Sequence, residues 1–233
     1  MTEWIENLKI KFINNFITDN RWKYLWDGLG VTVKVTFFAV LIGILLGFTI
    51  AVIRATHDKT GKLKILDFFA RVYLTVIRGT PVVVQLLIIY FVIFASVNID
   101  KVLVAIIAFG INSGAYVAEI VRSGIMSIDQ GQMEAGRSLG FNYVQTMYHI
   151  ILPQAFKNVL PALANEFIVL LKETSVSGFI ALQDLTKGGD IILGRTYDAL
   201  MPLLAVALIY LVIVMLLSKG VEWMERRLRS SEH

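Results

Sequence analysis

The sequence predicts an all-α integral membrane protein with five transmembrane helices, and three observations predict it. Hydrophobic residues make up 56% of the 233 residues and charged residues only 17%, against roughly 45–50% and about 25% in soluble domains. The apolar residues gather into runs close to the ~20 residues that cross a bilayer. Polar, glycine-containing segments separate those runs, as loops do. The absence of cysteine excludes a disulfide framework, a thiolate metal site and a cysteine nucleophile. His57, His149 and His233 are scattered, so no metal site is expected and no nucleophile–base pair stands out.

The opening residues, MTEWIENLKIKFINNFITDN, are acidic at Glu3 and Glu6 and lack the continuous apolar core of a signal peptide. Ile5, Leu8, Phe12 and Phe16 recur at helical spacing, which predicts an amphipathic interfacial segment over 1–27. Trp22, Tyr24 and Trp26 suit the headgroup layer. The spans follow at about 29–53, 81–97, 102–121, 155–176 and 199–218, within a membrane domain over 28–220 and before a tail over 221–233. The charged stretch LKILDFFARVYLTVIRGT, before the second span, is expected to run along the interface and then turn in. Gly43 and Gly47, spaced as G-x-x-x-G, predict close helix packing in the first span. Gly188 and Gly189 read as a turn in an outer loop that could also touch a partner.

Lysine and arginine set the orientation. One side of the spans collects Arg54, Lys59, Lys62, Lys64, Arg122, Arg137, Lys157, Lys219, Arg226, Arg227 and Arg229, which is eleven. The other collects Lys9, Lys11, Arg21, Lys23, Lys101, Lys187 and Arg195, which is seven. The richer side is expected to be cytoplasmic, with the amino terminus outside and the carboxyl terminus inside.

The loop over 127–153 then faces the cytoplasm. Asp129 and Gln132 have capping-box spacing, so a helix is expected to start there and to stop at Gly140. A second short helix over about 143–151 reaches Pro153, making a projecting knob. Glu134-Ala135, Gly140 six residues after the glutamate, Ile150, and Leu152-Pro153 resemble the EAA loop of ABC importer permeases. Gly136 departs from the pattern by standing where the second alanine is usual, and costs roughly 1 kcal/mol of helix propensity. VIRGTPVVVQLLIIYF (76–91), NSGAYVAEIVRSGI (112–125) and NEFIVLLKETS (165–175) extend the resemblance, over about 28–220, to the importers of polar amino acids.

That resemblance implies a type I ABC importer permease fold in the bacterial cytoplasmic (inner) membrane. It implies that the loop docks on an ATP-binding subunit, with Glu134, Ala135, Arg137 and Gly140 as the coupling residues. No G-x-x-x-x-G-K-[ST] phosphate loop is present; Gly61-Lys62 and Lys187-Gly188-Gly189 lack its context. The chain is therefore expected to be a non-enzymatic subunit that binds no cofactor itself, with ATP and Mg on the partner ATPase. The other expected partners are a second permease chain, with a homodimer preferred to a heterodimer, an extracytoplasmic amino-acid-binding protein and membrane lipid, but no nucleic acid.

Ionisable groups at span depth are costly and mark cavities or partners. Asn112, Tyr116, Glu119 and Ser123 fall on one face of the third span. Asn158, Asn165 and Lys172, with Glu166 and Glu173 beside them, make a polar side on the fourth. Such stripes either line a polar path or knit helices together; Glu166, the deepest, is assigned to the path. Pro81 breaks the helical hydrogen bonding at the entry to the second span, exposing backbone that only protein or water can satisfy. With the resemblance favouring a cargo contact at Thr80, the substrate-binding set is Thr80, Asn112, Tyr116, Asn165, Glu166 and Lys172; Arg78 is read as a stabiliser of the fold, and Glu119 either lines the path or pairs with Arg122. The cargo is expected to be a polar amino acid; a permease for another small solute and an ATPase-independent channel are the alternatives.

Overall fold

The structure, a computed structural model, describes Thr2 to Arg229. His233 and the rest of the tail beyond residue 229 lie outside the described residues, as does Met1. Among the described residues every regular element is helical. In order these are α1 (Thr2–Phe12), α2 (Trp22–Thr60), α3 (Lys64–Gly79), α4 (Val82–Ile88), α5 (Lys101–Met126), α6 (Gln130–Ser138), α7 (Tyr143–Thr146), α8 (Leu152–Glu173), α9 (Leu185–Thr196) and α10 (Leu200–Arg229). Wider π-type turns extend α1, α4 and α7 over Ile13–Ile17, Ile89–Ile93 and Met147–Ile151, and a 3₁₀ segment, Thr174–Ile180, continues α8.

α2, α5 and α10 are long and apolar enough to cross a membrane. Lys64–Gly79 and Val82–Ile93 together make a fourth candidate, broken between them. The expected first span is longer than its apolar run, because α2 starts at Trp22 and takes in the aromatic residues assigned to the interface. α8 does not qualify by apolarity, since its own polar residues interrupt the run.

The helices fall into two compact units. The first comprises Met1–Ala39, Pro81–Phe109 and Val169–Leu217. Its core joins Phe16, Leu25, Leu185, Ile192 and Val206. Here the expected turn at Gly188 and Gly189 is instead the buried middle of α9. A Cβ at Gly188 would run into the Tyr24 carbonyl, and one at Gly189 would come within 2.5 Å of Val206 Cγ2. The glycine pair therefore lets α9 press against α2 and α10. The N-terminal segment is also tied down: buried Asn15 donates to Asp198 Oδ2 at 3.1 Å and accepts from the Thr196 hydroxyl at 2.8 Å.

Asp184, buried ahead of α9, caps that helix by accepting from the Lys187 and Thr186 N–H groups, each at 3.1 Å. Burial raises its carboxyl above the usual range, opposed in part by those hydrogen bonds. The folded state thus holds the proton more tightly than the unfolded one. The stabilising contribution is present below the ordinary aspartate range and is lost as pH rises through the folded value. Asp184→Asn keeps the cap and should flatten that dependence, whereas Asp184→Ala should lose about 1 kcal/mol. Thermal melts of the two variants across acid to neutral pH check both outcomes.

The second unit comprises Val40–Thr80, Gly110–Ile168 and Ser218–His233. Ala51, Val117, Val121, Val159 and Leu163 form one apolar cluster, and Leu74, Ala115 and Ala118 another. The G-x-x-x-G spacing serves close packing here: a Cβ at Gly43 would meet Ser113 Oγ at 2.7 Å, and one at Gly47 would meet Val117 Cγ1 at 2.5 Å. α3 is held to the end of α2 by buried Asp67, which accepts from Arg71 Nε at 2.7 Å and lies 3.4 Å from His57 Nδ1.

Candidate functional site

Two features of the second unit stand apart from its packing. The first is the loop knob. Asp129 caps α6 by accepting from the Gly131 N–H at 2.6 Å. The reciprocal capping box expected with Gln132 forms one corner later, where Asn142 and Gln145 each accept the other's backbone N–H at 2.9 Å. Between the two caps Gly140 has φ +86°. The Phe141 N–H reaches the Gly136 carbonyl at 3.1 Å and the Gly140 N–H reaches the Arg137 carbonyl at 3.0 Å. Those two bonds close α6 as a Schellman motif, which needs a residue at ease in the left-handed region.

The departure at Gly136 has a packing reason. Gly136 is the one buried residue of α6, and a Cβ there would strike Thr146 Cγ2 and come within 3.0 Å of Ile150 Cδ1. Pressed down at that point, α6 turns Glu134, Ala135 and Arg137 outward. Leu139, Val144 and Tyr148 are 76%, 70% and 68% exposed, an apolar surface unusual on a charged loop. Gly136→Ala should therefore weaken the corner even though alanine is the better helix former. Adding Thr146→Ser, which deletes the obstructing methyl, should recover most of the loss. Thermal melting of the double-mutant set reads this coupling.

The second feature is a cavity of about 540 Å³. Tyr116, Glu119 and Ser123 of α5, with Ser127 just past its end, line it at helical spacing, facing Asn158, Ala162 and Glu166 of α8, with Arg78 from the end of α3. The NSGAY run builds this wall residue by residue. Asn112 is buried, and the Ser113 hydroxyl donates to Glu166 Oε1 at 2.8 Å. Gly114 leaves room for the Tyr73 hydroxyl, which donates to the Ile111 carbonyl and fixes α3 against α5. Ala115 packs in the core, and Tyr116 opens onto the cavity. On α8, the Asn158 amide donates to Ser127 Oγ at 3.0 Å.

Of the residues assigned to substrate binding, Tyr116 and Glu166 thus line one cavity from its two sides, joined by Glu119, Ser123 and Asn158 of the same stripes. Asn112 lies behind the wall, Asn165 is exposed and does not line it, and exposed Lys172 belongs to the other unit. Thr80 is exposed, and its hydroxyl donates to the Val76 carbonyl at 2.8 Å, capping the end of α3. Arg78, assigned to stability, lines the cavity and lies 3.4 Å from Glu119 Oε2. Among the described residues Glu119 pairs with Arg78, 41 positions away in sequence, and forms no ion pair with Arg122 on its own helix. No local sequence signal links residues so far apart.

His57, Asp58 and Asp67 bring possible metal-ligand atoms within 4.8 Å of one another. One Asp67 oxygen is already held by Arg71, and Arg54 lies 3.8 Å from the other, so two guanidinium groups occupy the charge a cation would need. The set is an ion-paired helix joint.

A knob capped at both corners and a charged cavity walled by α5 and α8 are features that suit a transport permease. Residues 39–230 match the family described as "Binding-protein-dependent transport system inner membrane component", and the chain belongs to that family. It is 37% identical to the arginine transport system permease protein ArtQ of Bacillus subtilis (strain 168) over 90% of this chain and 94% of that one. It is 36% identical to the glutamine transport system permease protein GlnP of Escherichia coli (strain K12), over 89% and 97% of the respective chains. A crystal structure of an amino acid ABC transporter with histidines is similar over 91% of this chain and 98% of that one, at 43% identity and a TM-score of 0.82. An inward-facing structure of the MetNI methionine ABC transporter shares the fold at 20% identity and a TM-score of 0.75. The chain is an integral membrane permease subunit of the ABC importer class with the type I fold.

Proposed function

We propose that this chain carries a polar amino acid across the bacterial cytoplasmic membrane, as the membrane subunit of an importer driven by separate ATP-binding subunits. ATP and Mg bind on those partners, and an extracytoplasmic binding protein delivers the cargo. The observation that carries the proposal is the cavity, which sets Glu166 and the Arg78–Glu119 pair between helices otherwise lined for lipid. A zwitterion needs both signs of charge. Glu166 suits an ammonium or cationic side chain, and Arg78 suits a carboxylate, which a guanidinium can bind bidentately. Cargo binding would exchange the Arg78–Glu119 contact for contacts to the substrate. Two permease chains, taken as a homodimer, complete the path. The test is ATP-dependent uptake into proteoliposomes from a panel of radiolabelled amino acids. Saturable uptake of a polar member supports the proposal, and uptake of none contradicts it.

We further infer five crossings, with the amino terminus outside. α8 is the fourth in chain order, its polarity explained by the cavity it lines. The absence of native cysteine makes each introduced thiol unique. A membrane-impermeant maleimide should label Asp190→Cys from the outside of intact cells, and Ser138→Cys only in inside-out vesicles. The reverse pattern would overturn the orientation.

A further inference from the structure

The seam between α3 and α5 holds two kinds of contact with different consequences. Leu74, Ala115 and Ala118 form its apolar core, with Ile50, Tyr73 and Ile77 packed around them. Apolar burial is non-directional, and the two alanines of α5 offer a smooth surface. Such a contact presses the helices together and leaves α3 free to slide along α5. The Tyr73 hydroxyl removes that freedom by donating to the Ile111 carbonyl. A notch makes room for it: a Cβ at Gly114 would lie 2.8 Å from the hydroxyl oxygen and 3.0 Å from Leu46 Cβ. The carbonyl sits inside α5, where the N–H one turn on already serves it, and the hydroxyl takes its second lone pair. The bond therefore fixes the register of α3 on α5.

Five residues on, about 7.5 Å along α3, that register decides where Arg78 stands. Its guanidinium lines the cavity 3.4 Å from Glu119 Oε2, and the two side chains are 44% and 40% exposed. An ion pair so open contributes little on its own, so it does not hold α3 in place. Nor does it persist when cargo replaces Glu119 at the guanidinium. The Tyr73 tether is the directional contact that remains through that exchange. Tyr73 itself does not line the cavity.

We propose that Tyr73 is a positioning residue for cargo selection: its tether to α5 holds Arg78 where the cavity demands a carboxylate of the molecule it accepts. This rests on the reading of Arg78 as the partner of the cargo carboxylate. The experiment measures equilibrium binding to the purified permease–ATPase complex without any delivery protein, so that the cavity alone selects. The probes are L-arginine, L-glutamine and L-histidine, each beside its carboxamide, which keeps the ammonium and the side chain but lacks the carboxylate. The quantity read is the affinity for the acid divided by that for the amide. Tyr73→Phe keeps the ring and leaves the Ile111 carbonyl its helical partner. Gly114→Ala fills the notch instead.

The expected result is that the wild type prefers at least one acid to its amide, and that Tyr73→Phe lowers this ratio about three- to tenfold, the span of one lost neutral hydrogen bond. Affinity for the amide should stay near the wild-type value, which a general loosening of the fold would not allow. Gly114→Ala should lower the ratio likewise and add little to Tyr73→Phe, because both act on one bond; where Gly114→Ala does not fold, the Tyr73→Phe ratio decides alone. An unchanged ratio in Tyr73→Phe, or an equal loss for acid and amide, would overturn the positioning role while leaving Arg78 and the importer reading intact. A wild type that binds acid and amide equally would overturn the role of Arg78, and this inference with it. A wild type that binds none of the probes would overturn the cavity as an amino-acid site, and with it the inference.

Discussion

Glu166→Gln is expected to leave the chain folded and assembled while cutting uptake by about ten- to a hundredfold. Glutamine keeps the size of the side chain and can still accept from the Ser113 hydroxyl, the contact that holds Glu166 Oε1 at 2.8 Å. It removes only the negative charge from the cavity wall. A hydrogen bond to a charged group is worth about 1.5–3 kcal/mol, and each 1.4 kcal/mol is about a factor of ten. The loss should appear in substrate-stimulated ATPase activity and in uptake, with basal ATPase activity retained. Unchanged transport kinetics would remove Glu166 from the path. Ser113→Ala separates position from charge: it leaves the carboxylate in place but frees its orientation, and a smaller loss is expected.

The second large effect is expected at Gly140. Gly140→Val places a β-branched residue at φ +86°, where a side chain costs on the order of 1–2 kcal/mol and a branched one more. The two bonds that close α6 cannot then form together, and the outward set of Glu134, Ala135 and Arg137 loses its fixed direction. The span helices do not depend on this corner. The variant should therefore reach the membrane with its helix content unchanged while its ATPase partner is lost or uncoupled. Circular dichroism beside coupled ATPase activity reads both outcomes. Glu134→Arg should act on the same interface by reversing one exposed charge, without touching the backbone.

The loop was the most legible part of the chain because its determinants are local. Capping residues, a glycine stop and the spacing to Leu152-Pro153 lie within a few turns of one another. Even there the capping box belongs to Asn142 and Gln145 rather than to Asp129 and Gln132, since two adjacent corners offer the same chemistry. The α5 stripe was legible for a similar reason, as helical periodicity put Tyr116, Glu119 and Ser123 on one face. The partner of Glu119 was not. Arg78 reaches it only because Tyr73 and Gly114 bring α3 against α5, a contact that no local pattern encodes. Glycine misled once. Gly188-Gly189 has the composition of a turn, but the absent side chains serve close approach inside α9. A missing Cβ means space for a turn, a neighbour or a partner, and only packing distinguishes them.

The central claim is that the knob of α6 and α7 couples this chain to an ATPase. Its most direct test is a mild-detergent pull-down of the tagged chain from native membranes, beside a Glu134→Arg, Gly140→Leu variant. The predicted result is an ATP-binding subunit that copurifies with the wild type and is lost from a variant still folded in the membrane. An active, well-folded wild type that brings down no ATPase would contradict the claim.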